Sequence, residues 1–130
     1  MSMKVLIVDD NDSVRKLLRD LCLEAGHTAV LANTGQEAWE LLDRGEEFEL
    51  IISDNDMPEM TGVELLQRVR GGSRTADIPF ILMSGNRVVS DNDPTLLEEI
   101  CTELGAMFLP KPFSIHALFS VLGVGVELCD

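Results

Sequence analysis

Five short apolar runs recur along the chain: KVLIV from Lys4, TAVLA from Thr28, ELIIS from Glu49, PFILM from Pro79 and AMFLP from Ala106. The stretches between them carry helical periodicity. This alternation constrains the fold more than any other feature, because short apolar strands separated by helices pair in parallel and need cover on both faces. In the first helical stretch Val14, Leu17, Leu18, Leu21 and Cys22 fall at i, i+3, i+4, i+7 and i+8, one stripe to lay on a sheet, and Gly26 supplies the stop. The second and third begin with capping boxes, TGQE at Thr34 to Glu37 and TGVE at Thr61 to Glu64. Leu97, Ile100, Cys101 and Leu104 repeat the core-facing spacing in the fourth, and Ile115, Leu118, Phe119 and Leu122 in the fifth. The expected fold is α/β, a doubly wound five-stranded parallel sheet with helices on both faces, its crossovers right-handed.

At 130 residues the chain reads as a single domain over 1–130, and no biased or Pro/Ser-rich stretch marks a linker. A formal net charge of −13 repels both a phosphate backbone and an anionic membrane surface, so neither nucleic acid nor membrane is expected as a direct partner. The early run VLIV is too short to span a bilayer or to form the apolar part of a signal peptide, and the expected location is the cytoplasm. Cys22, Cys101 and Cys129 are odd in number and not at metal-ligand spacing, and read as reduced thiols.

Doubly wound sheets bind ligands beyond the carboxyl ends of their strands. Those ends carry Asp9 and Asp10, then Asn33, Asp54, Ser84 and Lys111: three carboxylates, a hydroxyl and an ammonium at one edge. Two unit charges about 4 Å apart cost roughly 4 kcal/mol at an effective dielectric near 20, so something must neutralise the acids. A hard divalent cation does so at neutral pH, and Mg²⁺ is the expected cofactor. A carboxylate beside Mg²⁺, a lysine and a hydroxyl suits phosphoryl transfer, a reaction that needs positioning and charge neutralisation more than covalent help. Asp54 is then the nucleophile. Lys111 stands between Pro110 and Pro112, whose fixed φ angles restrict the backbone and help aim the ammonium.

The motifs VLIVDDN, LIISDNDMPEMTGVELL with Asp54, Met57, Pro58 and Gly62, FILMS ending in Ser84, and LPKPF with Lys111 and Pro112 resemble, in order and over essentially the whole chain, a response-regulator receiver domain of two-component signalling. The resemblance implies a flavodoxin-like strand order 2-1-3-4-5. It also implies Asp54 as phosphoacceptor from a sensor histidine kinase or histidine phosphotransfer protein. Metal ligation by Asp10, by Asp9 mostly through water, by Asp54 and by the backbone carbonyl of Asp56 follows from it. So do Ser84 and Lys111 as contacts to the phosphoryl group, Phe108 at the aromatic switch position, and a cis bond between Lys111 and Pro112. Output by this resemblance goes to a protein target through the fourth helix, fifth strand and fifth helix, with autodephosphorylation as a side activity. Three features depart from the family pattern: Phe108 lacks a phenol, the Ser84 to Lys111 interval is long, with the surplus in GNRVVSDNDP, and Asp56 adds a carboxylate two residues past the acceptor.

Plainer roles account for other residues. His27 reads as a turn residue and His116 as a neighbour of the last apolar stripe, neither carrying phosphate; Trp39 reads as a packing residue. Thr34, Thr61 and Ser114 are sufficiently explained as helix caps. The string SDND occurs at Ser53 and again at Ser90, and only the first follows a buried strand. Asp93, before Pro94, is expected to cap the fourth helix, with Asp91 and Asn92 as turn residues facing water, and Asp12 to serve the start of the first helix rather than a metal. Glu98, Glu99 and Glu103 read as a solvated face, and as a partner surface if one exists. Two other functions compete: a haloacid-dehalogenase-like phosphatase using Asp54 and Asp56 as its D-x-D, and a phosphate-independent docking module. The first lacks a cap region and has its motif on the third strand rather than the first; the second needs a missing catalytic residue, and none is missing. No effector domain is expected in this chain, which reads either as a stand-alone regulator or as part of a longer protein.

Overall fold

The computed structural model describes residues 2–90, 92–112 and 117. Five strands form one parallel sheet: β1 (Lys4–Val8), β2 (Thr28–Ala32), β3 (Leu50–Asp54), β4 (Phe80–Ser84) and β7 (Met107–Pro110), in the order β2-β1-β3-β4-β7. Counted within the sheet this is the 2-1-3-4-5 order of a flavodoxin-like fold. Between strands run α1 (Asp12–Glu24), α2 (Gly35–Asp43), α3 (Gly62–Gly71) and α4 (Leu97–Glu103). Strand alternation divides the core in two. Leu6, Val8, Ile51, Phe80 and Leu82 face the α2, α3 and α4 side, while Val5, Ile7, Leu50, Ile52, Ile81 and Met83 face α1. Each such buried side chain contributes roughly 1.5–3 kcal/mol relative to exposure. Because both faces are covered, the side chains that can meet a ligand are those at the strand ends.

The starts of α1 and α3 follow the expected chemistry, while α2 makes only the hydroxyl half of its expected box. Thr34 Oγ1 accepts the Glu37 N–H at 3.0 Å, and at α3 the box is reciprocal, Thr61 taking the Glu64 N–H at 3.2 Å and Glu64 returning to the Thr61 N–H at 3.2 Å. Asn11 caps α1 by accepting the Val14 N–H, and Asp12 opens the helix, paired with Arg15 at 2.6 Å and Lys16 at 2.9 Å. Its negative charge suits the positive end of the helix dipole.

Four expectations need correction. Leu17 lies outside the α1 stripe and is 48% exposed, because the buried line of the helix runs through Arg15, Leu18, Leu21 and Cys22, a helical step away. Arg15 can be buried there because its guanidinium donates to the Asp9 carbonyl at 2.7 Å and to Asp12. His27 is more than a turn residue: it is buried, and its Nδ1 accepts the Met3 N–H at 3.0 Å, tying the start of the chain to the turn before β2.

The remaining two corrections concern the long interval after β4. It folds as an antiparallel hairpin, β5 (Val88–Ser90) and β6 (Asp93–Leu96), with Val88 opposite Leu96 and Ser90 opposite Asp93. Asp93 is therefore a strand residue and not the cap of α4. The helix starts at Leu97, its cap position Leu96 makes no side-chain bond, and the Leu97 N–H goes instead to the Arg87 carbonyl at 2.8 Å. The sheet strand expected as the fifth is thereby the seventh in chain order. Asn92 is exposed, as expected, whereas Asp91 lies outside the described residues. So do Ser114, His116, Cys129 and, apart from the helical Ala117, the expected fifth helix. Among the described residues no helix is long and apolar enough to cross a membrane.

Candidate functional site

The ends of β1, β3, β4 and β7 bring Asp9, Asp10, Asp54, Ser84 and Lys111 to one edge of the sheet. Strand register does the placing: Val8 pairs with Ser53, Asp54 with Met83, and Ser84 with Pro110, so one step past each pair lies a site residue. The chain before Lys111 is anchored by its own N–H, which donates to the Ser84 carbonyl at 2.9 Å, and the Lys111–Pro112 bond is cis. From there the ammonium reaches Asp54 Oδ1 at 2.9 Å and Asp9 Oδ2 at 3.6 Å. Asn33, at the end of β2, is exposed.

The loop after β3 is held rigidly by residues whose part the sequence did not announce. Asn55 is buried; its Oδ1 accepts the Val63 N–H at 3.0 Å and its carbonyl accepts the N–H groups of Met57 and Gly62. This fastens the loop to the first turn of α3. Gly62 permits the close approach: a Cβ there would stand 2.5 Å from the Asp54 carbonyl oxygen and 2.5 Å from Leu82 Cδ1. Within the same loop Glu59 adopts a left-handed backbone at φ 66°, uncommon for a residue with a side chain. An Asn directly after the strand LIISD was the only sequence signal for Asn55, and it is a weak one. Arg15, a charge on an apolar stripe, was no clearer.

Asp9 and Asp54 are almost wholly buried, 1% and 3% exposed, while Asp10 faces solvent. Burial pushes the Asp9 carboxyl above its ordinary value; the Asn11 N–H on Oδ1 at 2.9 Å works against this, and the charge of Asp54 adds to it. Burial likewise raises Asp54, opposed by the hydrogen bond and charge of Lys111 and reinforced by the charge of Asp56. Burial alone would lower Lys111, but its bond to Asp54 and the two carboxylate charges outweigh that, so the ammonium is held more firmly than usual. One fixed positive charge thus faces more than one negative charge in a site shielded from water.

Ligand oxygens of Asp9, Asp10 and Asp54 all lie within 4.8 Å of one another. Asp9 Oδ2 is buried without a hydrogen-bond partner. A buried carboxylate oxygen that has the Lys111 ammonium at 3.6 Å but no hydrogen bond, in a group of three hard oxygen donors, fits a divalent cation of the Mg²⁺ class. The Asp56 side chain takes no place in this group; its Oδ2 accepts the Ser84 hydroxyl at 3.0 Å. Phe108 is partly buried on β7 and packs against the core on the α2, α3 and α4 side.

The chain is similar to known proteins over nearly its whole length. The family model for the response regulator receiver domain matches residues 5–122. A chemotaxis protein CheY homolog of Campylobacter jejuni is 40% identical over 133 residues, covering 95% of either chain. Chemotaxis protein CheY1 of Helicobacter pylori is 40% identical over 128 residues, covering 94% of this chain and 95% of its own. The solved chemotaxis response regulator CheY4 of Vibrio cholerae superposes with a TM-score of 0.80 at 30% identity, over 96% of this chain and 99% of its own.

Proposed function

This chain belongs to the response regulator receiver family, and from that premise we propose that it is a phosphoacceptor switch with Asp54 as the acceptor. The donor is a phosphohistidine on a sensor histidine kinase or a histidine phosphotransfer protein. An Asp54 carboxylate oxygen forms the new O–P bond as the P–N bond breaks; the electron pair of that bond stays on the imidazole, which takes up a proton. The observation that carries this reading is Lys111, whose ammonium touches Asp54 at 2.9 Å and Asp9 at 3.6 Å where the strands of the sheet end. It is aimed at the one carboxylate that is buried, raised and placed on the central strand of the edge.

Mg²⁺ would be held by Asp10 and Asp54, by Asp9 mostly through water and by the backbone carbonyl of Asp56, and would supply the charge that the transferring phosphoryl oxygens require. The residues do the rest. Burial of Asp9 and Asp54 excludes competing water from their oxygens. Lys111 pairs with the added phosphoryl charge, and the Ser84 hydroxyl turns to a phosphoryl oxygen once the group is in place. Phe108, having no phenol, responds by packing alone. The exposed side of α4, with Glu98, Glu99, Thr102 and Glu103 next to Leu96, offers a partner protein an acidic surface with an apolar end, consistent with output through this helix. The net charge of −13 keeps nucleic acid and anionic membranes away, and the location that suits such a switch is the cytoplasm.

Incubation with acetyl phosphate and Mg²⁺, followed by reductive trapping of the acyl phosphate and peptide mapping, tests the assignment. The label is expected on Asp54 and absent from Asp54→Asn. A label in the peptide carrying residues 88 to 100, where the second SDND lies, overturns it.

A further inference from the structure

Ser84 is held by two hydrogen bonds that lead away from the acids. Its hydroxyl donates to Asp56 Oδ2 at 3.0 Å and accepts the Asn86 N–H at 3.0 Å. Asn86 Oδ1 accepts the Val88 N–H at 3.2 Å, which joins the hydroxyl to the first residue of β5. At the far side of the hairpin the Leu97 N–H bonds the Arg87 carbonyl, and Arg87 forms an ion pair with Glu98 on α4. A continuous set of polar contacts therefore runs from Asp56 through Ser84 and the hairpin to the start of α4.

A serine hydroxyl has one hydrogen and so one donation to make. In the unmodified protein Asp56 takes it. A phosphoryl group on Asp54 is a stronger acceptor, with more charge and more oxygens, but it can receive the Ser84 proton only if Asp56 gives it up. The two arrangements exclude each other, which is what a two-state element requires.

We propose that the Asp56 carboxylate is a latch on the Ser84 hydroxyl, holding it in the unmodified state and released when Asp54 is phosphorylated, so that Asn86 and the β5–β6 hairpin carry the change to α4. The inference rests on Asp54 as acceptor and deepens that reading by naming a positioning residue for the switch. Asp56 acts through Ser84 rather than on the transferring atoms, and its side chain is exposed, so its removal leaves no hole in the core. The hairpin occupies the surplus length between Ser84 and α4, where the latch would need a relay.

The test measures affinity for beryllofluoride, a phosphoryl analogue, with Mg²⁺, in the parent protein, Asp56→Ala, Ser84→Ala and the double variant. All four keep the Asp56 backbone carbonyl. Asp56→Ala is expected to bind the probe roughly tenfold more tightly than the parent, the fold-change of a charge-assisted hydrogen bond at its weak end. In the Ser84→Ala background the same substitution is expected to gain at least threefold less. Equal gains in both backgrounds, which would mean simple charge repulsion, overturn the latch, as does no gain. A second readout needs no probe: in the metal-free protein the Asn86 and Val88 amide resonances of Asp56→Ala should move toward their positions in the beryllofluoride-bound parent. Asp56→Asn, which keeps an acceptor oxygen, should hold them nearer the parent position. Unmoved resonances in Asp56→Ala also overturn the latch. If the parent binds no probe and Asp54→Asn behaves identically, the acceptor reading itself falls, a failure the metal-free resonances distinguish from failure of the latch.

Discussion

Replacing Asp9 by Asn should stabilise the metal-free protein at neutral pH, although it removes a site residue. At an effective dielectric near 20, repulsion from Asp54, within 4.8 Å, comes to at least about 3.5 kcal/mol, and attraction to Lys111 at 3.6 Å to about 4.6 kcal/mol. Asp10 adds a smaller repulsion from solvent, so the charge terms nearly cancel. The outcome is then decided by the cost of keeping an ionised carboxylate 1% exposed with one oxygen lacking a hydrogen bond. Asn keeps an oxygen for the Asn11 N–H and is neutral. A gain of about 1–2 kcal/mol is expected, or roughly 3–8 °C in Tm for a domain of this size. The pH dependence fixes the sign. The Asp9 carboxyl is raised above 3.8, so the folded state binds its proton more tightly than the unfolded state. The penalty is absent below 3.8, grows as pH rises from there toward the raised folded value, and is complete above it. The advantage of the variant should therefore be full at neutral pH and vanish on acidification. Thermal denaturation in EDTA across that range measures it. Mg²⁺ should raise the Tm of the parent and scarcely that of the variant. A variant no more stable than the parent in EDTA at neutral pH, or an advantage that persists unchanged in acid, would refute the reasoning.

Asp10→Ala should weaken Mg²⁺ binding and slow phosphorylation together, yet change metal-free stability by no more than about 0.5 kcal/mol, since its side chain is exposed; calorimetric titration and a melt in EDTA check the two halves. Lys111→Ala should lower labelling by acetyl phosphate far more than it lowers Mg²⁺ affinity, because its ammonium pairs with the added charge; equal losses in both measurements count against that role. Gly62→Ala should cost about 1–3 kcal/mol, because its Cβ would meet the Asp54 carbonyl and Leu82 at 2.5 Å, and an unchanged denaturation midpoint would contradict this close packing. Burial pushes the Cys22 and Cys101 thiols up to about 11, so neither should react with iodoacetamide in the native protein at mildly alkaline pH, while both should react in denaturant.

The strands and the edge they share were legible because a parallel strand buried on both faces must be nearly all apolar, and a single acid, hydroxyl or lysine at its end stands out. Asp9, Asp54, Ser84 and Lys111 are marked in this way, and the backbone register then brings them together without further instruction. The hairpin was hidden for the opposite reason. In VVSDNDPTLL only the two valines and Thr95 have strand character, Asp93 before Pro94 imitates a helix start, and the pairing that overrides this lies across the turn. Pro94 is tolerable in β6 because a two-stranded ribbon leaves each strand an unpaired edge. Arg15 was hidden because an arginine on an apolar stripe is normally a solvent residue, and its burial depends on a carbonyl, that of Asp9, belonging to another element. The Ser84–Asp56 bond is the extreme case. Both residues can be read as polar groups near the acceptor, but which acceptor the hydroxyl's single proton takes is decided by a side-chain torsion and by the folded positions of two loops. Periodicity carries no information about either, so a sequence can mark where a phosphoryl group would arrive while leaving unmarked the contact that its arrival must break.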